Sequence, residues 1–156
     1  MTDKSKEITS FNQNFNLDLE TLTEQISSQK NWESKYRQLM LTGKTLPMLS
    51  AEWRTEEYKV QGCESNVWLI HEWVDNRLIL AISSDAKIVK GLVCLVLVAF
   101  NGKSAKAILN FDLDSYFDSL ALFHQLSPSR TNGVHAIVKM ILDLAEQEQE
   151  QEQNLS

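Results

Sequence analysis

Asp85-Ala86-Lys87-Ile88-Val89-Lys90-Gly91-Leu92-Val93-Cys94-Leu95-Val96-Leu97-Val98-Ala99-Phe100 is the stretch on which the fold turns. Its valines would suit a strand, but sixteen residues exceed an ordinary strand. Ser83-Ser84-Asp85 in front and Asn101-Gly102 behind are start and stop residues for a helix, so one buried helix is predicted. Just upstream, Val67 to Val74 and Arg77 to Ile82 are rich in branched and aromatic residues, and the turn-formers Asp75-Asn76 lie between them. That pattern predicts a β-hairpin. Leu78, Leu80 and Ile82 share one face of its second arm and Arg77, Ile79 and Ala81 the other, so one face is expected on a core and the other partly wet.

Further out, Asp18 can cap a helix carrying Leu19, Leu22 and Ile26, and Asn31 a second carrying Trp32, Tyr36, Leu39 and Met40 and closed by Gly43. Residues 44–56, with Pro47, read as a connection to a first strand near Glu57 to Val60. Short helices are expected around Ser104 to Leu109 and Asp114 to Phe123. A last helix starts at Ser127-Pro128 and carries Val134, Ile137, Val138, Ile141, Leu142 and Ala145 at helical spacing. Gly133 weakens its first turns by up to ~1 kcal/mol relative to Ala, which predicts a bent or irregular start. The expected architecture is α+β: one domain with a small antiparallel β-sheet packed with helices from both ends of the chain. Residues 1–17, polar and without period, are expected to be a flexible segment, 18–146 the domain, and 147–156 a Glu/Gln-rich tail that frays or is solvated.

Composition narrows the function classes. The 156 residues are 43% hydrophobic, enough for one sizeable core, and fifteen basic against twenty-one acidic side chains give a net charge of -6. With no Lys/Arg cluster to track a phosphate backbone, direct nucleic-acid binding is not expected. No apolar run reaches the roughly 20 residues that span a bilayer, so no membrane insertion is expected. The opening Met-Thr-Asp-Lys lacks an apolar signal segment, and the two cysteines stand in very different contexts. A disulfide between them is therefore not expected, and a reducing, cytoplasmic location fits.

Those cysteines carry the chemistry that the sequence offers. Cys94 lies inside the apolar run, where a thiol behaves as a small hydrophobe. Cys63 stands in Val60-Gln61-Gly62-Cys63-Glu64-Ser65-Asn66-Val67-Trp68, at the tip of a turn next to strand-like residues. Gly62 lets the backbone bend, and polar neighbours place the thiol near water, so a reachable nucleophile is expected there. Reactivity also needs thiolate, held by a cation, a helix N-terminus or a set of donors. Three histidines, His71, His124 and His135, offer a base for a Cys/His hydrolase, but each has a commoner role as a strand or helix-end residue. Metal-ligand spacings, the cysteine set of an iron–sulfur cluster and phosphate-loop glycines are all lacking, so no cofactor or metal is expected in this chain.

Three segments, Gly62-Cys63-Glu64-Ser65-Asn66-Val67-Trp68, Ser84-Asp85-Ala86-Lys87-Ile88-Val89-Lys90-Gly91-Leu92 and Leu126-Ser127-Pro128-Ser129-Arg130-Thr131-Asn132-Gly133, together resemble the SufE/CsdE family of sulfur-acceptor proteins. Their order and separations match the family pattern, from about Trp32 to about Leu144. The resemblance implies that Cys63 accepts persulfide sulfur from a cysteine desulfurase of the SufS/CsdA type, that the protein stimulates that enzyme, and that pyridoxal phosphate belongs only to the partner. It implies delivery to a downstream acceptor such as an iron–sulfur cluster scaffold, and it is compatible with a homodimer. Arg130, Asp85 and Glu64 fall on matched positions and are the candidates for supporting the thiol or contacting the partner. For Arg130, a structural ion pair with Asp85 is the alternative. Lys87 and Lys90 match too, but equally suit a solvated helix face. Glu64 and Asn66 look like the CsdE branch, whereas Asp85-Ala86 and Asn110-Phe111-Asp112 look closer to SufE. Relay to tRNA modification or another thiolation pathway, and non-catalytic regulation of a desulfurase, are the alternative readings.

Overall fold

The computed structural model describes residues 2–155. Helices α1 (Asp3–Gln13), α2 (Leu19–Ser27) and α3 (Trp32–Gly43) lead through two 3-10 turns, Ala51–Trp53 and Glu56–Tyr58, into strands β1 (Val67–Val74) and β2 (Arg77–Ser84). Helix α4 (Lys87–Phe100), the two-residue strand β3 (Lys103–Ser104), α5 (Ala105–Asn110), α6 (Leu113–Leu120) and α7 (Pro128–Leu155) complete the chain. The result is an α+β domain on a three-stranded antiparallel sheet in the order β1-β2-β3.

The apolar run is a helix because it can be buried on every side. From Gly91 to Phe100 every residue of α4 is buried, and α4 packs on β2, α2, α3 and α7 at once. An element apolar all round is stable only in such a central position. The α3–α4 contact is close because both helices present a glycine. A Cβ on Gly43 would lie 2.8 Å from the Gly91 amide nitrogen, and one on Gly91 would overlap the Leu39 carbonyl. Gly43 thus serves close approach as well as ending α3; the following residue, Lys44, keeps right-handed backbone.

Local signals set the remaining elements. Asp18, Asn31, Ser104 and Asp112 each accept a hydrogen bond from an amide of the helix that follows, which satisfies an orphan donor of the first turn. Asp75 and Asn76 both have positive φ, 52° and 66°, as a two-residue hairpin turn requires. The register runs from Val67 opposite Ser84 to Val74 opposite Arg77.

Four expectations are corrected. Residues 3–13, within the segment expected to be flexible, form α1, which packs on the hairpin with Ile8 and Phe11 buried. The region near Glu57 to Val60 is not a strand but a 3-10 turn followed by a single bridge, Lys59 opposite Trp68. Ser83, Ser84 and Asp85 do not cap α4; the residue before that helix is Ala86, without a side-chain cap. Helix α7 passes through Gly133 without interruption and continues through the Glu/Gln-rich stretch, so residue 146 marks no structural break.

Helix α1 also closes the sheet edge. Strand β3 pairs only with Arg77 and Leu78, leaving Leu80 open. There the Leu80 amide donates to Asn101 Oδ1 (2.8 Å), Asn12 Nδ2 donates to the Leu80 carbonyl (3.1 Å), and Asn101 Nδ2 donates to Asn12 Oδ1 (2.6 Å). Two asparagines take the place of a strand. Asn101→Ala is expected to cost about 1–3 kcal/mol by stranding these groups; an unchanged urea midpoint would show that water replaces them without loss.

Candidate functional site

The hairpin and α7 together seat Cys63. The loop 61–66 is closed at its base by the Val60 amide, which donates to the Val67 carbonyl at 2.8 Å. Gly62 takes φ +88°, turning the chain so that the next side chain points inward. The loop then lies along one face of α7. A Cβ on Gly62 would meet Ala136 Cβ at 3.4 Å, and one on Gly133 would meet Cys63 Sγ at 2.9 Å. Ser129, Gly133 and Ile137, four residues apart, form that face. They line the sulfur pocket together with Ser65, Val89, Leu92, Arg130 and Val134, and only about 10 Å³ remains free in it. That is the lower limit for one water, so the sulfur is packed rather than bathed.

The loop is also tied to its surroundings by side chains. Asn66 Nδ2 donates to Asp85 Oδ2 at 2.9 Å. Ser84 Oγ donates to the Asn66 carbonyl at 2.7 Å and accepts from the Ala86 amide at 3.2 Å. On the other side Ser129 Oγ donates to Glu64 Oε2 at 2.9 Å. The polar residues before α4 hold the Cys63 loop instead of capping the helix. Both ties are solvent-facing hydrogen bonds, each worth about 1 kcal/mol. They are strong enough to bias a short loop and weak enough to open.

Cys63 is half-buried. Burial pushes its thiol above the ordinary cysteine range; the Ser65 amide draws it down, Glu64 adds to the rise, and Lys59 opposes it. The electrostatics favour the neutral thiol. Cys94 is a pure core thiol: fully buried, directed at the Thr42 carbonyl at 3.8 Å, with a pKa pushed up to about 12. Since only thiolate reacts with haloacetamides, alkylation of Cys63 in the folded protein is expected to rise with pH through a midpoint above that of the urea-unfolded chain. The native and unfolded pH–rate profiles check this; coincident midpoints would contradict it.

All four candidate site residues converge on this loop, although not in the expected pairings. Asp85 is engaged by Asn66, and among the described residues Arg130 forms no ion pair with it. Arg130 lines the sulfur pocket while its guanidinium carbon stands 5.9 Å from the centroid of the Tyr36 ring, a cation–π contact to α3. At rest the Ser65 amide and Lys59, rather than Arg130, favour a sulfur anion. The three histidines are not among the lining residues; His135 instead packs edge-on against Phe123, with ring centroids 5.6 Å apart. Ser129, Gly133, Asn66 and Ser84 lay inside the quoted motifs but were not assigned to the Cys63 site from sequence.

Residues 20–145 match the family described as SufE, Fe-S metabolism associated domain. The chain belongs to the SufE family. Membership associates the protein with iron–sulfur metabolism, and the matched span contains the Cys63 loop, the residues before α4 and the Cys63-facing turns of α7. Helix α1 precedes the matched SufE span. The solution structure of a hypothetical protein from Thermus thermophilus is similar in fold, with a TM-score of 0.64 over 83% of this chain and 93% of that one, at 18% identity. No helix among the described residues is long and apolar enough to cross a membrane.

Proposed function

We propose that the protein takes persulfide sulfur from a cysteine desulfurase onto Cys63, stimulates that enzyme, and passes the sulfur on for iron–sulfur cluster assembly. The observation that carries the reading is the Cys63 thiol packed on α7 at the tip of a hydrogen-bonded loop, within a SufE-family domain. A carrier must hold a reactive sulfur away from reductants and oxidants between two encounters, and an apolar seat under a closable loop does that.

The step is a thiol exchange. The Cys63 thiolate attacks the outer sulfur of the desulfurase persulfide, a new S–S bond forms to Cys63, the old S–S bond breaks, and the desulfurase cysteine leaves as thiolate. No external oxidant or reductant is consumed. In-line attack needs space opposite the leaving sulfur, which the closed pocket lacks, so docking must draw the loop out by breaking the Asn66–Asp85 and Ser129–Glu64 bonds. Opening also removes the burial that holds the thiol neutral. Arg130, which lines the pocket, and Lys59, whose charge acts on the thiol, are then the cations available to the exposed anion or to the partner.

The test is peptide mass spectrometry after incubation with a pyridoxal-phosphate cysteine desulfurase and free cysteine. One added sulfur on Cys63, dependent on the desulfurase, is the expected result; an unmodified Cys63 beside an active enzyme would overturn the carrier reading. The inward sulfur with its raised pKa favours one second reading, a desulfurase regulator whose thiol is dispensable. Stimulation without sulfur uptake is its signature.

A further inference from the structure

Gly133 sits in the sixth position of α7, an interior helix site where glycine is disfavoured relative to alanine. The helix runs through it without a break, and Gly133 does not take a positive φ that would account for it. Its neighbourhood does account for it. The site where a side chain would begin is 2.9 Å from Cys63 Sγ, a separation that real Cβ atoms essentially never show. Apart from its chain neighbours and the backbone of its own helix, no other atom of the described residues lies within 4 Å of that site. The pocket beside the sulfur has about 10 Å³ to spare, the least that one water needs.

We propose that Gly133 is the positioning residue for Cys63: the missing side chain on α7 is the seat of the sulfur and sets the balance between the closed and open loop. The inference deepens the sulfur-carrier reading but rests on geometry that is independent of any partner. A methyl group at 133 fills the seat. The cysteine has one rotatable side-chain bond and is walled in by Val89, Leu92, Val134 and Ile137, so the loop gives way before the helix does. Its ties to Asp85 and Ser129 are exposed hydrogen bonds, whereas α7 is anchored by Val134, Ile137, Val138 and Ile141 in the core. Opening exposes the thiol to water and removes the burial that favours its neutral form.

A double-mutant cycle isolates this contact from the general preference of helices for alanine. Wild type, Gly133→Ala, Cys63→Ala and the double variant are compared by thermal unfolding, and Cys63 alkylation is followed against pH in the first two. Gly133→Ala is expected to lower Tm when Cys63 is present and to raise it in the Cys63→Ala background, where the sulfur is gone and only the helix preference remains. Alkylation of Cys63 is expected to speed up several-fold at neutral pH, with its midpoint moving down toward that of the unfolded chain. A Tm change of the same sign and size in both backgrounds, or an unchanged alkylation profile, would overturn the proposal. None of these measurements involves a desulfurase. A wild type that takes up no sulfur would defeat the carrier reading and leave the cycle to stand or fall by itself.

Discussion

Cys63→Ser is expected to fold as the wild type does and to take up no sulfur from a desulfurase under conditions that load the wild-type protein fully. The substitution keeps the shape of the side chain within a fraction of an ångström, and the pocket that receives it has space to spare for only about one water. Stability should therefore change little. The hydroxyl, however, ionises far too weakly to attack a persulfide at neutral pH, and oxygen forms no stable bond to sulfane sulfur, so the loss of uptake should be complete. Cys94 cannot substitute. It is fully buried in α4, and its pKa of about 12 leaves almost no thiolate. Mass spectrometry after incubation with desulfurase and cysteine reads the first quantity, and the rate of alanine release reads stimulation of the partner. Loss of both is the outcome expected of a carrier whose accepted sulfur relieves the enzyme. Uptake by the serine variant would refute the assignment of Cys63. Stimulation retained in full without uptake would favour the regulator.

The fold was legible wherever one kind of residue spoke clearly. Asp75-Asn76 fixed the hairpin turn because few residues accept positive φ in succession, and both do so here. Ser83-Ser84-Asp85 was read correctly as polar punctuation but given the wrong job. The same side chains that cap a helix can hydrogen-bond a neighbouring loop, and sequence alone does not say that Asn66 is within reach. Helix α1 was missed because Ile8, Phe11 and Phe15 are diluted by asparagine, serine and threonine. Its stability comes from the hairpin surface that buries Ile8 and Phe11 and from the Asn12–Asn101 bond, none of which is local. The expected strand at Glu57 to Val60 failed for a related reason: the chain turns away at residues 61–66 to form the Cys63 loop before β1 begins at Val67, and only Lys59 opposite Trp68 remains as a bridge.

The site was legible to the extent that its residues cluster in motifs. Cys63, Glu64, Asp85 and Arg130 all lie at the loop or its pocket, but their partners are set by the packing of α7 and α3. Arg130 was expected to support the thiol or contact a partner, with an ion pair to Asp85 as the alternative; it lines the pocket and stands over Tyr36, which is one turn after Trp32 on α3 and invisible as a neighbour in sequence. Gly133 carried a readable signal: a glycine amid a strong helical pattern asks what it makes room for. The bent start predicted for it was one answer, and the sulfur seat is another that requires two segments seventy residues apart to be brought together.

The same question at Gly91 leads to the largest stability effect expected in the chain. Gly91→Ala adds one methyl group in the centre of α4, where helix preference alone would make it stabilising by about 1 kcal/mol. The geometry reverses the sign. The new Cβ would overlap the Leu39 carbonyl oxygen and lie 2.9 Å from its carbonyl carbon, both backbone atoms of α3 that cannot rotate away. Relief requires α3 and α4 to separate. Separation would in turn loosen Leu39, Thr42 and Cys94, which are buried at that contact. Overpacking of this kind typically costs 1–3 kcal/mol and more when backbone must move, so a net loss of about 3 kcal/mol is expected, a shift of roughly 10 °C in Tm for a domain of this size. The expected cooperative transition is kept, with its midpoint lowered, because the clash acts on one helix pair and leaves the hairpin and α7 unaltered. Tyr36 rides on α3 and Val89 on α4, so a displaced α3 would also disturb the pocket, and faster Cys63 alkylation should accompany the loss of stability. An unchanged or raised Tm would mean that α3 and α4 do not approach through their glycines in solution, and the central position assigned to α4 would fail with it.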